Sequence, residues 1–315
     1  EVTLDGVGCD TAISDVFAVE VVADPVIDTQ AIAAQEVCQN ASLLELTITV
    51  SGGIASSSFD YQWYSNTTNN NTGGTPIAGA NTNTYTPDNT TIGTLYYYVV
   101  VTQNESGCEV ISNTSEVTIT PGPTIVTQPV DSEVCLDGVA NQLTIVTQNG
   151  VGIPTYQWYT NTTNSTSGGT PIAGATNSTY DPPTNTVGEI FYYVTIAFQG
   201  GCDLISSEVA SVVVVQEPVA VANNPLQIVC LDGTADDFQI TLTGGLGNPS
   251  YQWYSNTTNS NTGGTLIAGA TASTYNPGVL TAISLNYYYV EVTLDGVGCD
   301  TAISDVFAVE VVADP

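Results

Sequence analysis

The stretch "YQWY" occurs at Tyr61–Tyr64 and returns unchanged at Tyr156–Tyr159 and Tyr251–Tyr254. The interval is about 95 residues each time, which is the length of one small domain. Further landmarks follow in a fixed order: "GGT" with "IAGA" from Gly73, Gly168 and Gly263, "TY" with Pro from Thr84, Thr179 and Thr274, an aromatic triplet from Tyr96, Phe191 and Tyr287, and a Gly-Cys pair at Cys108, Cys202 and Cys299. The chain is therefore an array of three similar units.

The two ends of the chain carry the same sequence, since Glu1–Pro25 and Glu291–Pro315 are identical at every position. We interpret residues 1–25 as the C-terminal strands of a preceding repeat, and we expect the chain to come from a longer polypeptide. Prolines suggest the boundaries of three full repeats, at residues 26–121, 122–217 and 218–315. The linkers are short and lack Gly/Ser-rich spacers, which favours a semi-rigid string of domains.

Short strands separated by turn signals make up each unit. In the second unit, "NQLTIVTQNG" alternates apolar and polar residues up to the turn signal Asn149-Gly150, and the segment from Phe191 indicates a hairpin around Gly200-Gly201. These patterns predict an all-β fold of tandem immunoglobulin-like β-sandwich (Greek-key) domains arranged head to tail. A small barrel is the alternative.

The aromatic residues have a structural and a functional interpretation. Trp63, Trp158 and Trp253 occupy the same place in every unit, so we predict core positions rather than sugar-stacking positions. In the triplet Tyr96–Tyr98, alternate side chains face opposite sides of a strand, so one or two should point outward. An outward tyrosine packs on a neighbouring domain, contacts a glycan or, most commonly, covers the sheet.

The charge of the chain excludes several classes of partner. It has 31 acidic residues, no Lys, Arg or His, and a formal net charge of −31. No side chain can neutralise a phosphate, so we expect no nucleic-acid partner. An anionic membrane surface would repel the chain. No apolar run approaches the ~20 residues that span a bilayer, so we expect no membrane insertion.

The same composition leaves few groups for catalysis. There is no His, Lys or Arg to act as a base, a Schiff-base former or an anion clamp, and Ser and Cys lack a conventional partner. The G-x-G in "DGVGCD" precedes no predicted helix, so it is not a nucleotide loop. No pair of carboxylates stands out for glycoside hydrolysis. We predict that the protein is not an enzyme.

Metal binding is a weaker alternative, and we predict neither a specific metal site nor a cofactor. Calcium takes oxygen ligands, and "CLDGTADD" places Asp232, Asp236 and Asp237 in one loop as candidate ligands. The commoner interpretation is a solvated turn, because Asp-Gly is a turn signal.

The repeat motifs "YQWY", "GGTPIAGAT", "TYTP", "YYYVVVT" and the closing "GC" resemble the Ig-like tandem repeats of giant surface adhesins of gliding Bacteroidota. The resemblance covers essentially the whole chain. It implies export by the type IX secretion system and display as cell-surface filaments, with the gliding and secretion machinery as partners. It also implies O-linked glycosylation at Asp-Ser/Thr-aliphatic motifs, for which Thr11 and Thr301 are the candidate acceptors. Asn-x-Ser/Thr sequons recur as well, for example at Asn66, Asn89, Asn161 and Asn256.

The seven cysteines follow the repeats. Each full unit has an early cysteine (Cys38, Cys135, Cys230) and a late cysteine (Cys108, Cys202, Cys299), and Cys9 is the late cysteine of the preceding unit. Such regular usage in an exported protein predicts disulfides. In an Ig-like topology the early and late positions fall at opposite ends of one domain, too far apart for a bond. We therefore favour bonds between units, Cys38–Cys202 and Cys135–Cys299, which would give Cys9, Cys108 and Cys230 partners outside this sequence. Pairing within units, Cys38–Cys108, Cys135–Cys202 and Cys230–Cys299, is the alternative.

Two functional hypotheses follow. In the first, the chain is a structural section of an extracellular, cell-surface filament that transmits force during attachment or gliding, with other copies or units of the filament as partners. In the second, the repeats themselves bind surface polysaccharide through outward tyrosines and Asn/Thr-rich loops. Tyrosines buried at domain contacts would favour the first, and an aromatic ledge facing solvent would favour the second.

Overall fold

The structure is a computed structural model that describes residues 2, 5–8, 10–54 and 58–315. The chain forms two compact units. The first contains Glu1–Gly122 together with Asn149–Gly152 and Gln199–Cys202. The second contains Pro123–Gln148, Ile153–Phe198 and Asp203–Pro315. All described secondary structure is β, and none of the described residues forms a helix that could cross a membrane.

The described strands number ten in each of the first two repeats and nine in the third. Those of the first repeat are β1 (Pro25–Thr29), β2 (Ala34–Cys38), β3 (Leu46–Thr47), β4 (Thr49–Gly52), β5 (Phe59–Asn66), β6 (Thr75–Pro76), β7 (Thr84–Tyr85), β8 (Gly93–Gln103), β9 (Glu109–Ile111) and β10 (Ser115–Thr120). Those of the second are β11 (Thr124–Thr127), β12 (Ser132–Cys135), β13 (Leu143–Thr144), β14 (Val146–Gln148), β15 (Val151–Asn161), β16 (Thr170–Pro171), β17 (Thr179–Tyr180), β18 (Gly188–Gln199), β19 (Ile205–Ser206) and β20 (Ala210–Val215). Those of the third are β21 (Val219–Asn223), β22 (Leu226–Cys230), β23 (Phe238–Thr243), β24 (Pro249–Asn256), β25 (Thr265–Leu266), β26 (Thr274–Tyr275), β27 (Leu285–Leu294), β28 (Ala302–Ile303) and β29 (Phe307–Val312).

Each repeat has one large sheet and a smaller layer. In the first repeat the large sheet has the order β2-β10-β8-β5-β6, and β9 pairs with β8. β2 and β10 run parallel, with Cys38 opposite Thr120, whereas β10, β8 and β5 pair antiparallel. The smaller layer consists of the pairs β1–β4 and β3–β7. The second repeat repeats this order, and in the third β23 joins β21 and β26 in one sheet.

The core of each repeat lies between its two layers. Strand β10 alternates buried and half-buried residues, as expected for a strand with one face inward. In the first repeat Trp63 on the large sheet packs with Leu46 and Ile48 of the smaller layer, and all three are fully buried. Trp158 and Trp253 are equally buried. The predicted all-β, immunoglobulin-like sandwich and the core position of the tryptophans are confirmed.

The identical segments at the two ends of the chain differ in structure. Phe307 pairs in β29 and is 0% exposed, whereas Phe17, at the same place in the first copy, is 85% exposed. The described part of residues 1–24 contains one isolated bridge, between Val2 and Ala12, and no strand. β29 forms because β22 and β27 flank it on both sides. A strand's backbone groups need such partners.

Candidate functional site

Two disulfide bonds join consecutive repeats. Cys38 at the end of β2 is bonded to Cys202, which follows β18, and Cys135 at the end of β12 is bonded to Cys299, which follows β27. The Cα atoms lie 5.0 and 4.9 Å apart, and each bond spans 164 residues of sequence. Both bonds are the between-repeat pairs that the sequence favoured, and the alternative of pairing within repeats is wrong for these four cysteines.

A backbone hydrogen bond accompanies each disulfide. The Cys38 N–H donates to the Gly200 carbonyl at 2.9 Å, and the Cys135 N–H donates to the Val297 carbonyl at the same distance. In both cases the acceptor lies two residues before the late cysteine. The disulfide and the backbone hydrogen bond together fix how the hairpin that carries the late cysteine is placed against the strand that ends at the early cysteine.

Small residues permit the close approach beside each disulfide. A Cβ added at Gly201 would meet the Ala41 Cβ at 2.8 Å, and one added at Gly138 would meet the Gly298 Cα at 2.9 Å. Gly201 and Gly298 also have positive φ angles of 69° and 75°, where side chains are disfavoured. The sequence carries a signal for this contact, namely the Gly before each late cysteine and the Gly or Ala three residues after each early one.

The turn after each early cysteine has the same conformation in all three repeats. The second residue after the cysteine is Asn40, Asp137 or Asp232, with φ of 67°, 61° and 60°. Asn and Asp tolerate this left-handed region better than most residues. The N–H of the next residue donates back to the cysteine carbonyl, at 3.0 Å for Cys38 and 2.9 Å for Cys135 and Cys230. "CLDG" therefore forms a hydrogen-bonded turn.

Two further cysteines are free thiols. Cys108 is half-buried and Cys230 is exposed. Cys9 lies outside the described residues, so its predicted partner beyond this sequence stays a prediction, as do those of Cys108 and Cys230.

The recurring motif around the tryptophan holds one sandwich edge together. The Gln62 side chain donates to the Ile77 carbonyl at 2.8 Å, and the Trp63 indole N–H donates to the Thr82 carbonyl at 2.9 Å. The other two repeats contain the same bonds at equivalent residues. The motif residues that recur in sequence thus have structural roles.

The tyrosine triplet covers both faces of its strand. Tyr97 lies in the core, where burial raises its pKa to about 12. Tyr98 lies on the other face, stacked on Tyr64 with ring centroids 5.1 Å apart, and its hydroxyl accepts a hydrogen bond from the Gly74 N–H. No tyrosine among the described residues is exposed. The outward tyrosine Tyr98 is buried and covers the sheet, as the commonest interpretation predicted, and its stacking partner Tyr64 is half-buried.

The sequon asparagines of the loop after "YQWY" are tied to that loop. The Asn66 amide donates to the carbonyls of Asn70 and Thr72, at 3.0 and 3.2 Å, and its oxygen accepts from Thr68. Asn161 and Asn256 make the same bonds. Both amide hydrogens of each of these side chains are therefore used within its own loop. The O-linked candidates Thr11 and Thr301 are both exposed.

The aspartates of the "CLDGTADD" loop have separate roles. Asp232 occupies the left-handed turn, the Asp236 N–H donates to the Gln227 side chain at 2.8 Å, and the Asp237 carboxylate accepts from the Asn276 amide at 2.8 Å. Within the described ranges, no three His, Cys, Asp or Glu side chains are grouped as metal ligands. Asp232, Asp236 and Asp237 are therefore not brought together around one ion.

One buried polar residue in each repeat was missed by sequence reasoning. The Ser207 hydroxyl accepts from the Val194 N–H at 3.0 Å and donates to the Glu208 carbonyl at 2.7 Å. Ser112 and Ser304 make the same two bonds. The signal was a serine at the same place in each repeat, a few residues after the late cysteine.

Several solved structures are similar to this chain. A fragment of the titin I-band matches at 13% identity and a TM-score of 0.50, covering 93% of this chain and 99% of that one. Three N-terminal domains of the outer capsid protein Hoc of bacteriophage RB49 match at 14% identity, with a TM-score of 0.43 and coverage of 88% and 96%. Extracellular domains 3–5 of Drosophila OTK match at 15% identity, with a TM-score of 0.35 and coverage of 93% and 98%. At such identities the titin similarity shows the fold alone.

Sequence comparison identifies a family. No curated protein shows significant similarity to the chain. A family model described as a domain of unknown function, DUF8696, matches residues 28–121, 125–216 and 220–313. These matches include most of the sequence, one to each repeat. The chain therefore belongs to the DUF8696 family.

Proposed function

We propose that this chain is a structural repeat section of a secreted cell-surface filament or adhesin, and that it transmits force between the cell and a surface. The observation that carries the proposal is the pair of disulfides, each of which joins one repeat to the next. Covalent bonds between consecutive domains resist separation of those domains under tension. An independent folding or binding module has no need of them.

Chemistry and composition support an extracellular location and a non-enzymatic role. Structural disulfides persist in oxidising compartments outside the cytosol. The sequence lacks Lys and Arg, the residues at which trypsin cleaves, so a chain displayed outside the cell would resist proteases of this specificity. The motif residues that recur in every repeat are engaged in core packing and hydrogen bonds, which leaves the repeats as building units.

The finer proposal rests on resemblance of the repeat motifs to giant type IX-secreted adhesins of gliding Bacteroidota, such as SprB, the flavobacterial gliding filament. By this resemblance the filament is exported by the type IX secretion system, and a motor moves it along the cell. Glycosylation at Thr11 and Thr301 belongs to the same proposal.

Polysaccharide binding by the repeats is the alternative. It needs aromatic faces open to a sugar, whereas Tyr98 and its equivalents Tyr193 and Tyr289 are between 2% and 4% exposed. The tyrosines stacked on them, Tyr64, Tyr159 and Tyr254, are half-buried, and none is exposed. We therefore favour the structural role.

Single-molecule stretching tests the force-transmitting role directly. A cross-linked chain extends only along its shortest covalent path, which here crosses from Cys38 to Cys202, returns along the chain to Cys135 and crosses to Cys299. That path contains about 120 residues, so extension should stop near ~400 Å, against roughly 1,100 Å after reduction, at ~3.5 Å per residue. A Cys108→Ser/Cys230→Ser control should behave like the oxidised wild type. Equal extension before and after reduction would contradict the proposal.

Surface display needs a separate experiment on intact cells. Antibodies against the purified chain should label filaments outside cells that carry the gene, and deletion of the gene should reduce attachment to glass. Labelling confined to the cytosol would overturn the proposal. Binding of the purified chain to a polysaccharide array, lost on heat denaturation, would instead support the alternative.

A further inference from the structure

Cys108 and Cys230, the free cysteines of the described residues, lie at repeat positions where other cysteines of this chain form disulfides. Cys230 ends β22, as Cys38 ends β2 and Cys135 ends β12. Each of these strands runs parallel to the last strand of its repeat, and the cysteines face Thr120, Val215 and Val312 in equivalent registers. Cys230 therefore presents its thiol and its backbone N–H at the same position as the two bonded cysteines.

The turn behind Cys230 is already in the bonded conformation. Asp232 has a φ of 60°, and the Gly233 N–H donates to the Cys230 carbonyl at 2.9 Å, which matches the turn of Asp137 and Gly138. The N–H groups of Leu231 and Asp232 are hydrogen-bonded to Val312 and Leu280, at 2.8 and 2.9 Å. The turn needs no rearrangement to receive a partner.

The glycine before Cys108 has the same backbone conformation as the glycines before the bonded late cysteines. Gly107 has a φ of 70°, against 69° for Gly201 and 75° for Gly298. In sequence Cys108 follows the end of β8 by the same interval as Cys299 follows the end of β27. The loop thus presents a Gly-Cys pair whose glycine has the left-handed conformation found at the other two junctions.

Burial distinguishes the free strand end from the bonded ones. Cys38 and Cys135 are 2% and 0% exposed, whereas Cys230 is exposed. Ile228, two residues earlier, is 63% exposed. At the equivalent place in the first repeat, the Glu36 carbonyl lies against Gly200 of the bonded hairpin, 3.0 Å from where a Cβ would stand. The surface at Cys230 therefore corresponds to the surface that, at Cys38, is covered by the hairpin carrying the late cysteine of the next repeat.

We propose that Cys230 of one copy of this chain forms a disulfide with Cys108 of a second copy, in the geometry of the two existing junctions. The Cys230 N–H then donates to the carbonyl of Ser106, two residues before Cys108, and Gly107 lies against Gly233. Because the contact joins two different surfaces, the strand end at Cys230 of one copy and the hairpin at Cys108 of the next, it is heterologous and produces open chains of copies. The inference rests on the disulfide geometry and not on the proposed cell-surface role.

The bond forms by thiol–disulfide exchange with a small-molecule disulfide such as oxidised glutathione. One protein thiolate attacks the oxidant to give a mixed disulfide and one glutathione thiol, and the second protein thiolate then displaces the second glutathione. The two protein thiols lose two protons and two electrons in total, and the oxidant leaves as two glutathione thiols. Both partners are strongly acidic, so salt that shortens the range of their repulsion should increase the yield.

The test uses two variants in a Cys9→Ser background, which removes the other late cysteine from the reaction. One variant carries Cys108→Ser and keeps Cys230, and the other carries Cys230→Ser, keeps Cys108 and bears a cysteine-free tag that changes its size. The two are mixed in a glutathione redox buffer with about 0.5 M NaCl, where the Debye length is only a few Å. Dimers are separated on a non-reducing gel. Chymotryptic peptides identify the linked cysteines, since the chain has no Lys or Arg for trypsin.

We expect the ratio of the Cys230–Cys108 heterodimer to the homodimers to be roughly ten times the ratio that random pairing gives. This factor corresponds to a preference of ~1.4 kcal/mol. In urea the preference should disappear, because the folded junction surfaces are lost. Circular dichroism of each variant checks that it is folded. Absence of dimers, or homodimers and heterodimers in the ratio of random pairing under native conditions, would overturn the proposal. Neither outcome bears on cell-surface display, which the antibody experiment tests separately.

Discussion

Cys38 and Cys202 are joined by a disulfide although 164 residues separate them in sequence, and the Cys38 N–H also donates to the Gly200 carbonyl at 2.9 Å. The cysteine at the end of a strand in the first repeat is therefore held by two bonds to a hairpin of the second. An equivalent pair, Cys135 and Cys299, repeats the arrangement.

Removing one of these bonds should destabilise the chain. In the chain-entropy model, a bond that closes a loop of 164 residues stabilises the folded state by about 5 kcal/mol when the whole loop unfolds. We expect Cys38→Ser/Cys202→Ser to lower the melting temperature in calorimetry under oxidising conditions. The matched control is Cys108→Ser/Cys230→Ser, which removes the two free thiols of the described residues and should leave the melting temperature of the monomer unchanged. Equal melting of the two double variants would refute this.

The buried serine of the second repeat should be costly to remove. Ser207 is 3% exposed, and its hydroxyl bonds the Val194 N–H and the Glu208 carbonyl. Ser207→Ala leaves the buried Val194 N–H and the part-buried Glu208 carbonyl without this partner, so we expect a loss of about 1–3 kcal/mol in urea unfolding followed by tryptophan fluorescence. The neighbouring Ser206 is exposed, and Ser206→Ala should change stability by no more than ~0.5 kcal/mol. Similar effects of the two substitutions would contradict the assigned role.

Alkaline pH should unfold the chain through its core tyrosines. Burial raises the pKa of Tyr97 and Tyr192 to about 12, against an ordinary value of 10.0. Above pH 10 the unfolded chain releases these protons while the folded chain keeps them, so stability present below pH 10 is lost as the pH rises towards 12. We expect melting temperatures to fall across this range, and to fall less in Tyr97→Phe/Tyr192→Phe. An identical fall in the double variant and the wild type would show that other groups are responsible.

Mild acid or added salt should stabilise the fold. The compact state holds 31 acidic side chains closer together than the unfolded chain does, so protonation or screening relieves more repulsion in the folded state. Hydrogen bonds oppose this at two sites. Thr90 and Thr91 lower the pKa of Asp88, and the Asn248 backbone and side chain lower the pKa of Asp295. The stability from the hydrogen bonds at these two sites is present above the ordinary pKa of 3.8 and is lost only as the pH falls below it.

Between about pH 7 and pH 5 the relief of repulsion should therefore dominate, since both bonded aspartates stay ionised there. The measurement is the melting temperature across this range, at low salt and at about 0.5 M NaCl. A steady decrease from pH 7 to pH 5, or no response to salt at pH 7, would count against the argument.

The strands and the core could be predicted from the sequence because they depend on local pattern repeated three times. Trp63 and its equivalents recur at a fixed interval, and alternation of apolar residues marked the strands around them. The role of Ser207 and the contact between Gly138 and Gly298 were not predicted. Both depend on which backbone group of another strand or hairpin lies opposite, and a local pattern does not contain that information.

The sequence by itself determined the repeat, the all-β class, the buried tryptophans and a choice between two sets of disulfides. Only the tertiary structure decided which cysteines bond, because a disulfide requires Cα atoms within ~7 Å of each other, and Cys38 lies 5.0 Å from Cys202. Tertiary structure also decides the burial of Phe17 and Phe307. Identical sequence surrounds the two residues, yet Phe17 is 85% exposed and Phe307 is fully buried. A strand forms where neighbouring strands accept its backbone hydrogen bonds and cover its apolar face, and the segment's own residues cannot supply those partners.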